Sequence, residues 1–276
     1  MLLALGCAPQ ASSTATDTSP TTTASQSAAD CAQDKTLKGG TLTVGTDSPA
    51  YDPWFRQNDP TNGKGYESAV AYAVAKQMGF DTSAVTWTKV PFNSSYAPGP
   101  KRFDFDINQI SIAAAREKVV DFSDGYYSAA QAIIAVKGSP AASATSLADL
   151  KQYKIGAQTG TTSLTAIRDD IQPNSQAVVF KNTNDAKTAL ANGQVDAIVA
   201  DLPTAFYLVA AEITHGTIVG QFPSTGAPEQ FGMLFAKNDQ LVACVNEALS
   251  SIKSSGQLAS FEKKWLSDTV NVPVLQ

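Results

Sequence analysis

Short apolar runs and amphipathic stretches alternate along most of the chain, the pattern of parallel α/β architecture. Residues 41–46 read as a first strand. Over residues 65–78, Ala69, Val70, Ala73, Val74 and Met78 fall on one helical stripe, and Gly79 is placed to stop it. Residues 87–92 and 104–112 read as further strands, and the apolar run 130–137 as a strand crossing into a second lobe. That lobe continues with a helix begun by Ser146 as N-cap, a strand at 154–157, a helix at 186–192, a strand at 196–200 and a helix at 203–211. Residues 232–236 read as the strand that returns to the first lobe. The last segments, 241–254 and 258–266, carry Val245, Leu249, Ile252, Phe261 and Trp265 at helical spacing, as core.

A length of 276 residues suffices for two modest lobes. With 20 basic and 25 acidic residues the net charge is −5, which offers no clustered basic face and argues against a nucleic-acid partner. No apolar run approaches the roughly 20 residues of a membrane-spanning helix. The opening MLLALGC resembles the end of a lipoprotein signal, with Cys7 as the lipidated residue. No Lys or Arg precedes Lys35, so the basic start of such a signal is expected upstream of Met1. Residues 8–36 are mostly Ala, Ser, Thr, Gln and Asp, and without aromatic or branched aliphatic residues they predict a disordered tether. Cys31 and Cys244 are then an even pair that an exported protein can join as a disulfide; the alternative is a buried Cys244 with Cys31 exposed.

Two segments carry candidate chemistry. ISIAAAREKVVDFSDGYY (110–127) places the Ser111 hydroxyl shortly before Arg116, and VDAIVAD (195–201) delivers the Asp201 carboxylate at a strand end. A free amino acid bears one carboxylate and one ammonium on the same carbon. An arginine fork answers the first, and an aspartate with a hydroxyl acceptor answers the second. Each residue also fits a plainer role: Arg116 a solvated first helical turn, Asp201 an N-cap before Pro203. TGTTS (159–163) reads as a turn into a helix, where free N–H groups suit an anion or a simple cap. Asp47, Ser111, Thr162 and Asp201 all fall at strand ends, where ligands bind in open α/β sheets.

In order along the chain, TLTVGTDSPAYDPWF (41–55), GYESAVAYAVAKQMGF (65–80), the 110–127 stretch, LADLKQYKIGAQTGTT (147–162), ANGQVDAIVAD (191–201) and EQFGMLFAKND (229–239) resemble the landmarks of family 3 solute-binding proteins. These are the polar amino-acid receptors of bacterial ABC importers, and the resemblance spans about residues 38–268. It implies a type II periplasmic-binding-protein-like α/β clamp of two lobes with a hinge of two crossing strands. The expected division is a signal end at 1–7, a tether at 8–36, lobe one at 37–135 and 233–276, and lobe two at 136–232. It also implies a monomer outside the cytoplasm, delivering a free polar or cationic amino acid to permease subunits without a cofactor or metal, and the signal-like start with Cys7 adds a lipid anchor to the cell membrane.

By the same resemblance, Arg116 and Thr162 hold the ligand α-carboxylate, while Asp201, the Ser111 hydroxyl and a carbonyl near Gln109 hold its ammonium. Tyr51 and Phe92 sandwich the side chain, and Asp47, Trp54, Gln109 and Gln158 set selectivity. Two departures stand out: Gln109 replaces a small residue, and Ala113 replaces a Thr that would cap the turn bearing Arg116, worth about 1 kcal/mol. Two rival functions remain open at this point, a sensor not coupled to transport and a small dehydratase using Asp47 or Glu229. Against the enzyme, the sole histidine, His215, precedes Gly216 in what reads as a surface loop, and no nucleophile or metal motif is visible.

Overall fold

The computed structural model describes residues 27–223, 228–266 and 272–276. Two five-stranded sheets form the two lobes. The first runs in the order β2 (Val85–Lys89), β1 (Leu42–Thr46), β3 (Phe105–Asp106), β12 (Leu234–Phe235) and β4 (Asp121–Phe122). The second runs β10 (Gly216–Gln221), β6 (Gln131–Val136), β9 (Ala197–Asp201), β7 (Ile155–Gln158) and β8 (Val178–Phe180). A two-stranded antiparallel ribbon of β5 (Tyr127–Ala129) and β11 (Glu229–Phe231) joins them, the outward and the returning crossing of the hinge.

The strands that carry the site are parallel: β1 pairs with β2 and β3, and β7 pairs with β8 and β9. Their carboxyl ends therefore meet at the cleft. β6 reads as a continuous apolar run because the sheet is covered on both faces, leaving Ala132, Ile133, Ile134 and Ala135 fully buried. The helices are α1 (Ala28–Ala32), α2 (Tyr66–Gln77), α3 (Phe92–Ser95), α4 (Ala114–Glu117), α5 (Thr162–Ala166), α6 (Thr183–Ala191), α7 (Leu202–Tyr207), α8 (Leu241–Ser254) and α9 (Gln257–Trp265). In lobe one, α2 and α8 bury Val70, Val74, Val245, Leu249 and Ile252 together, and Phe261 and Trp265 pack at the edge of the same cluster.

The structure departs from the expected organisation in several places. The expected tether at 8–36 is ordered from residue 27 on: Ala28 and Ala32 of α1 are buried against α8, and Cys31 is bonded to Cys244 across a Cα–Cα distance of 5.3 Å. That bond spans 213 residues of sequence, and closing so long a loop stabilises a fold by about 2–5 kcal/mol. Cys7 and the rest of the expected signal and tether lie outside the described residues.

The expected boundary at 135 and the expected place of the chain end also differ. β6 lies wholly in the second sheet, so the crossing comes at β5, and the chain end at 272–276 returns to lobe two, where Val274 bridges Gln221 and Leu275 is buried. Residues 216–221, which begin in the expected surface loop, form strand β10 antiparallel to β6. The expected strand 104–112 keeps only the two ladder residues of β3, and three residues beyond them Gln109 takes a left-handed turn, φ 47°. The strand expected at 87–92 ends at Lys89, so Phe92 starts α3 instead.

Candidate functional site

A small cavity of about 60 Å³ sits between the lobes at these strand ends. Asp47, Tyr51, Phe92, Gln109, Ser111, Gln158, Thr162 and Asp201 all line it. Arg116 does not. Trp54, expected to help set selectivity, is also outside: it is fully buried against Tyr66, Tyr127 and Phe231, and its Nε1 donates to Thr204 Oγ1 at 2.9 Å. A larger groove of about 580 Å³ lies elsewhere, between α7 and α9, among Pro53, Phe206, Tyr207 and Trp265. Arg56, Glu262 and Lys263 also line it, but none of the residues expected to bind a ligand does.

Asp201 ends β9 and caps α7, accepting from the Thr204 N–H at 3.0 Å, with Pro203 in the first turn. The cap and the cavity wall are the same residue, so the two sequence readings of Asp201 are compatible. Burial pushes its carboxyl up to about 6, against the Thr204 N–H, which favours the ionised form. Thr162 opens α5, but the capping hydroxyl is that of its neighbour Thr161, which accepts from Leu164 N–H at 3.2 Å. The Thr162 side chain is thereby left to the cleft.

On the lobe-one side, Asp47 accepts from the backbone N–H of Ser48 and of Phe92, at 2.6 and 3.2 Å, and so fixes the start of α3. The Tyr51 hydroxyl accepts from Asn184 N–H across the cleft at 3.4 Å, and burial raises its phenol to about 12. Gln158 accepts from the Thr183 hydroxyl at 3.0 Å. Arg116 lies behind the wall in α4, 9 % exposed, with its guanidinium over the rings of Phe92 and Tyr96 at 5.6 and 4.9 Å. Its Nη1 donates to Ser111 O at 2.7 Å, and its Nη2 crosses to Gly160 O at 2.8 Å. Gly160 has φ 74°, which strains any side chain, and a Cβ there would push against the Tyr96 hydroxyl and Asn93.

Three groups escaped sequence reasoning. Gln131, the first residue of β6, donates from Nε2 to Thr162 Oγ1 and Glu229 Oε2, at 3.3 and 3.0 Å. A lone amide at the head of an apolar strand was its only signal. Glu229 on β11, weighed only as an enzyme acid, accepts from the Ser111 and Thr162 hydroxyls. Glu67 is fully buried beneath the cavity, where it accepts from the Gln109 backbone and side-chain amides and the Tyr126 hydroxyl. These bonds hold the left-handed turn of Gln109. Burial drives the Glu67 carboxyl up to about 7, and an acid in a first helical turn gives no hint of such a role.

Oxygen acceptors from both lobes thus converge on the cavity, with one guanidinium behind its wall. That suits a small molecule bearing a cation and an anion close together. Among the described residues, no group of His, Cys, Asp and Glu could hold a metal ion, and no helix is long and apolar enough to cross a membrane.

The chain is 30 % identical over 219 residues to the ABC transporter glutamine-binding protein of Bacillus subtilis (strain 168), covering 78 % of this chain and 77 % of the relative. It is 29 % identical over 236 residues to the L-cystine-binding protein of Escherichia coli (strain K12), covering 84 % of each. Among solved structures, an ancestral arginine-binding protein bound to glutamine superposes with a TM-score of 0.71 at 31 % identity, covering 84 % of this chain and all of that one. The fold is the two-lobed type II clamp of such proteins. Residues 42–268 match the family described as bacterial extracellular solute-binding proteins, family 3, and the chain belongs to that family.

Proposed function

We propose that this protein captures a free polar or cationic amino acid outside the cytoplasm, by closure of its two lobes, and delivers it to the permease subunits of an ABC importer. The observation that carries this reading is the convergence of Asp201, Ser111 and Thr162 from both lobes on one cavity, with Arg116 directly behind it. The relatives named above bind glutamine, cystine and arginine by name, consistent with a polar amino acid.

In this reading Asp201 and the Ser111 hydroxyl receive the ammonium, and Arg116 turns toward the α-carboxylate. Tyr51 and Phe92 flank the side chain, while Asp47, Gln109 and Gln158 meet its polar end. Closure follows because the ligand bridges an anion of lobe two and a cation of lobe one. The protein acts as a binding monomer without catalysis, held at the membrane by a lipid on Cys7. A mature protein lacking the mass of a diacylglycerol would remove the anchor and leave the receptor reading intact.

A thermal-shift panel of the 20 amino acids tests the reading, since a ligand at 100 times its Kd stabilises by about 2.7 kcal/mol. A shift confined to one or a few polar amino acids is the expected result. No shift with any of them would overturn it.

A further inference from the structure

Glu229 stands on the returning hinge strand, and its carboxylate gathers donors from both lobes. The Ser111 hydroxyl donates to Oε1 from lobe one, the Thr162 hydroxyl donates to the same oxygen at 2.7 Å from lobe two, and Gln131 Nε2 donates to Oε2 at 3.0 Å. A hydroxyl has one proton and two lone pairs. With both protons spent on Glu229, Ser111 and Thr162 present lone pairs to the cavity they line. The two oxygens are only 3.4 Å apart, so they act as a pair. One Thr162 lone pair is shared with Gln131 Nε2 at 3.3 Å, and the Gln131 amide is itself held the right way round by the Ser163 hydroxyl, which donates to Oε1 at 2.5 Å.

We propose that Glu229 is a positioning residue for specificity: by taking the protons of Ser111 and Thr162 it turns both hydroxyls into acceptors and, with Asp201, makes this part of the cavity a seat for the ligand α-ammonium. The inference rests on the amino-acid reading above and alters one part of it. The Thr162 hydroxyl serves the ammonium, so the α-carboxylate is left to Arg116. A group with no proton to donate meets only oxygen lone pairs here and is disfavoured.

The test uses calorimetric titration of the wild-type protein, Glu229→Gln, and the Ser111→Ala/Thr162→Ala double variant with and without Glu229→Gln. The probes are the amino acid that responds in the panel and its α-deaminated acid, 5-guanidinopentanoate for L-arginine or glutaramate for L-glutamine. A Gln at 229 can offer its NH2 to the hydroxyls and reverse their polarity. The preference for the amino acid over the deaminated acid should fall about tenfold or more in Glu229→Gln, the scale of a hydrogen bond to a charged group. It should fall likewise in the double variant, where adding Glu229→Gln should cost nothing further, because the effect runs through the hydroxyls.

An unchanged preference in Glu229→Gln overturns the proposal, and so does an equal loss of affinity for both probes. If Glu229→Gln does not fold, the preference of the double variant decides alone. A wild-type protein that binds none of the 20 amino acids overturns the receptor reading itself, a result distinct from the others.

Discussion

Asp201 and Arg116 are the two opposite charges expected to grip one ligand, yet the structure treats them differently. Asp201 stands in the cavity wall with one backbone donor on its carboxylate, at the head of a capped helix. Arg116 is buried between Phe92 and Tyr96, has both terminal nitrogens on carbonyls, and starts from a helix whose N-cap, Ala113, makes no side-chain bond. One charge, capped by Thr204, faces the cavity directly. The other already ties the lobes together through Gly160 and must release or share that bond to serve a ligand. Under the proposed function, the first residue serves recognition, and the second serves recognition and closure at once.

Asp201→Asn is the sharpest break. Asn is as good an N-cap as Asp, so α7 should keep its start, while the ligand ammonium loses its counter-charge. We expect the melting temperature without ligand to be no lower than that of wild type and amino-acid binding to weaken by at least about 2 kcal/mol. Arg116→Ala should instead lower both. It removes the carboxylate partner and orphans two carbonyls, for a loss of about 2 kcal/mol in binding and a comparable loss in the empty protein. A variant pair in which Asp201→Asn destabilises the empty fold and Arg116→Ala does not would invert the comparison.

The pH response of Asp201 sharpens it further. Its folded carboxyl is raised from 3.8 to about 6, chiefly by burial, so between those values the empty folded protein holds a proton that the unfolded chain has given up. Its contribution to stability is complete below about pH 4 and is lost as pH rises through about 6. Binding runs the other way: an ammonium prefers the ionised carboxylate, so affinity should rise with pH through about 6. Glu67 shifts in the same direction, to about 7, so the measurement is the difference between wild type and Asp201→Asn across pH 4–8. Identical profiles would show that Asp201 does not titrate in this window.

The sequence made Asp201 legible because a strand ending in Asp before Leu-Pro has few places to go: the residue caps a helix at a strand end, and strand ends form the cleft. Arg116 was legible as a charge but not as a tie, since its partner Gly160 lies 44 residues away and offers only a carbonyl. Similarly, nothing local in 104–112 announces that Glu67, some 40 residues earlier, will accept from Gln109 and hold its left-handed turn. His215 and Gly216 read as a loop, and β10 begins there unannounced because its strand character comes from pairing with β6. What was missed is in each case a contact between distant segments.

The smallest expected effect probes the uncapped helix itself. Ala113 sits at φ −140°, ψ 136°, the extended geometry of an N-cap, and is only partly exposed. A Thr there can accept from the free N–H groups of the first turn without moving the backbone, and should stabilise the protein by about 1 kcal/mol. If Arg116 is already fixed by its two carbonyls and two rings, as its contacts indicate, a firmer helix start adds nothing to its placement, and ligand affinity in Ala113→Thr should equal that of wild type. Greater affinity would mean that the turn bearing Arg116 moves during binding and that the missing cap lowers the readiness of the guanidinium. The two titrations, read beside the melting temperatures, separate a rigid tie from a moving one.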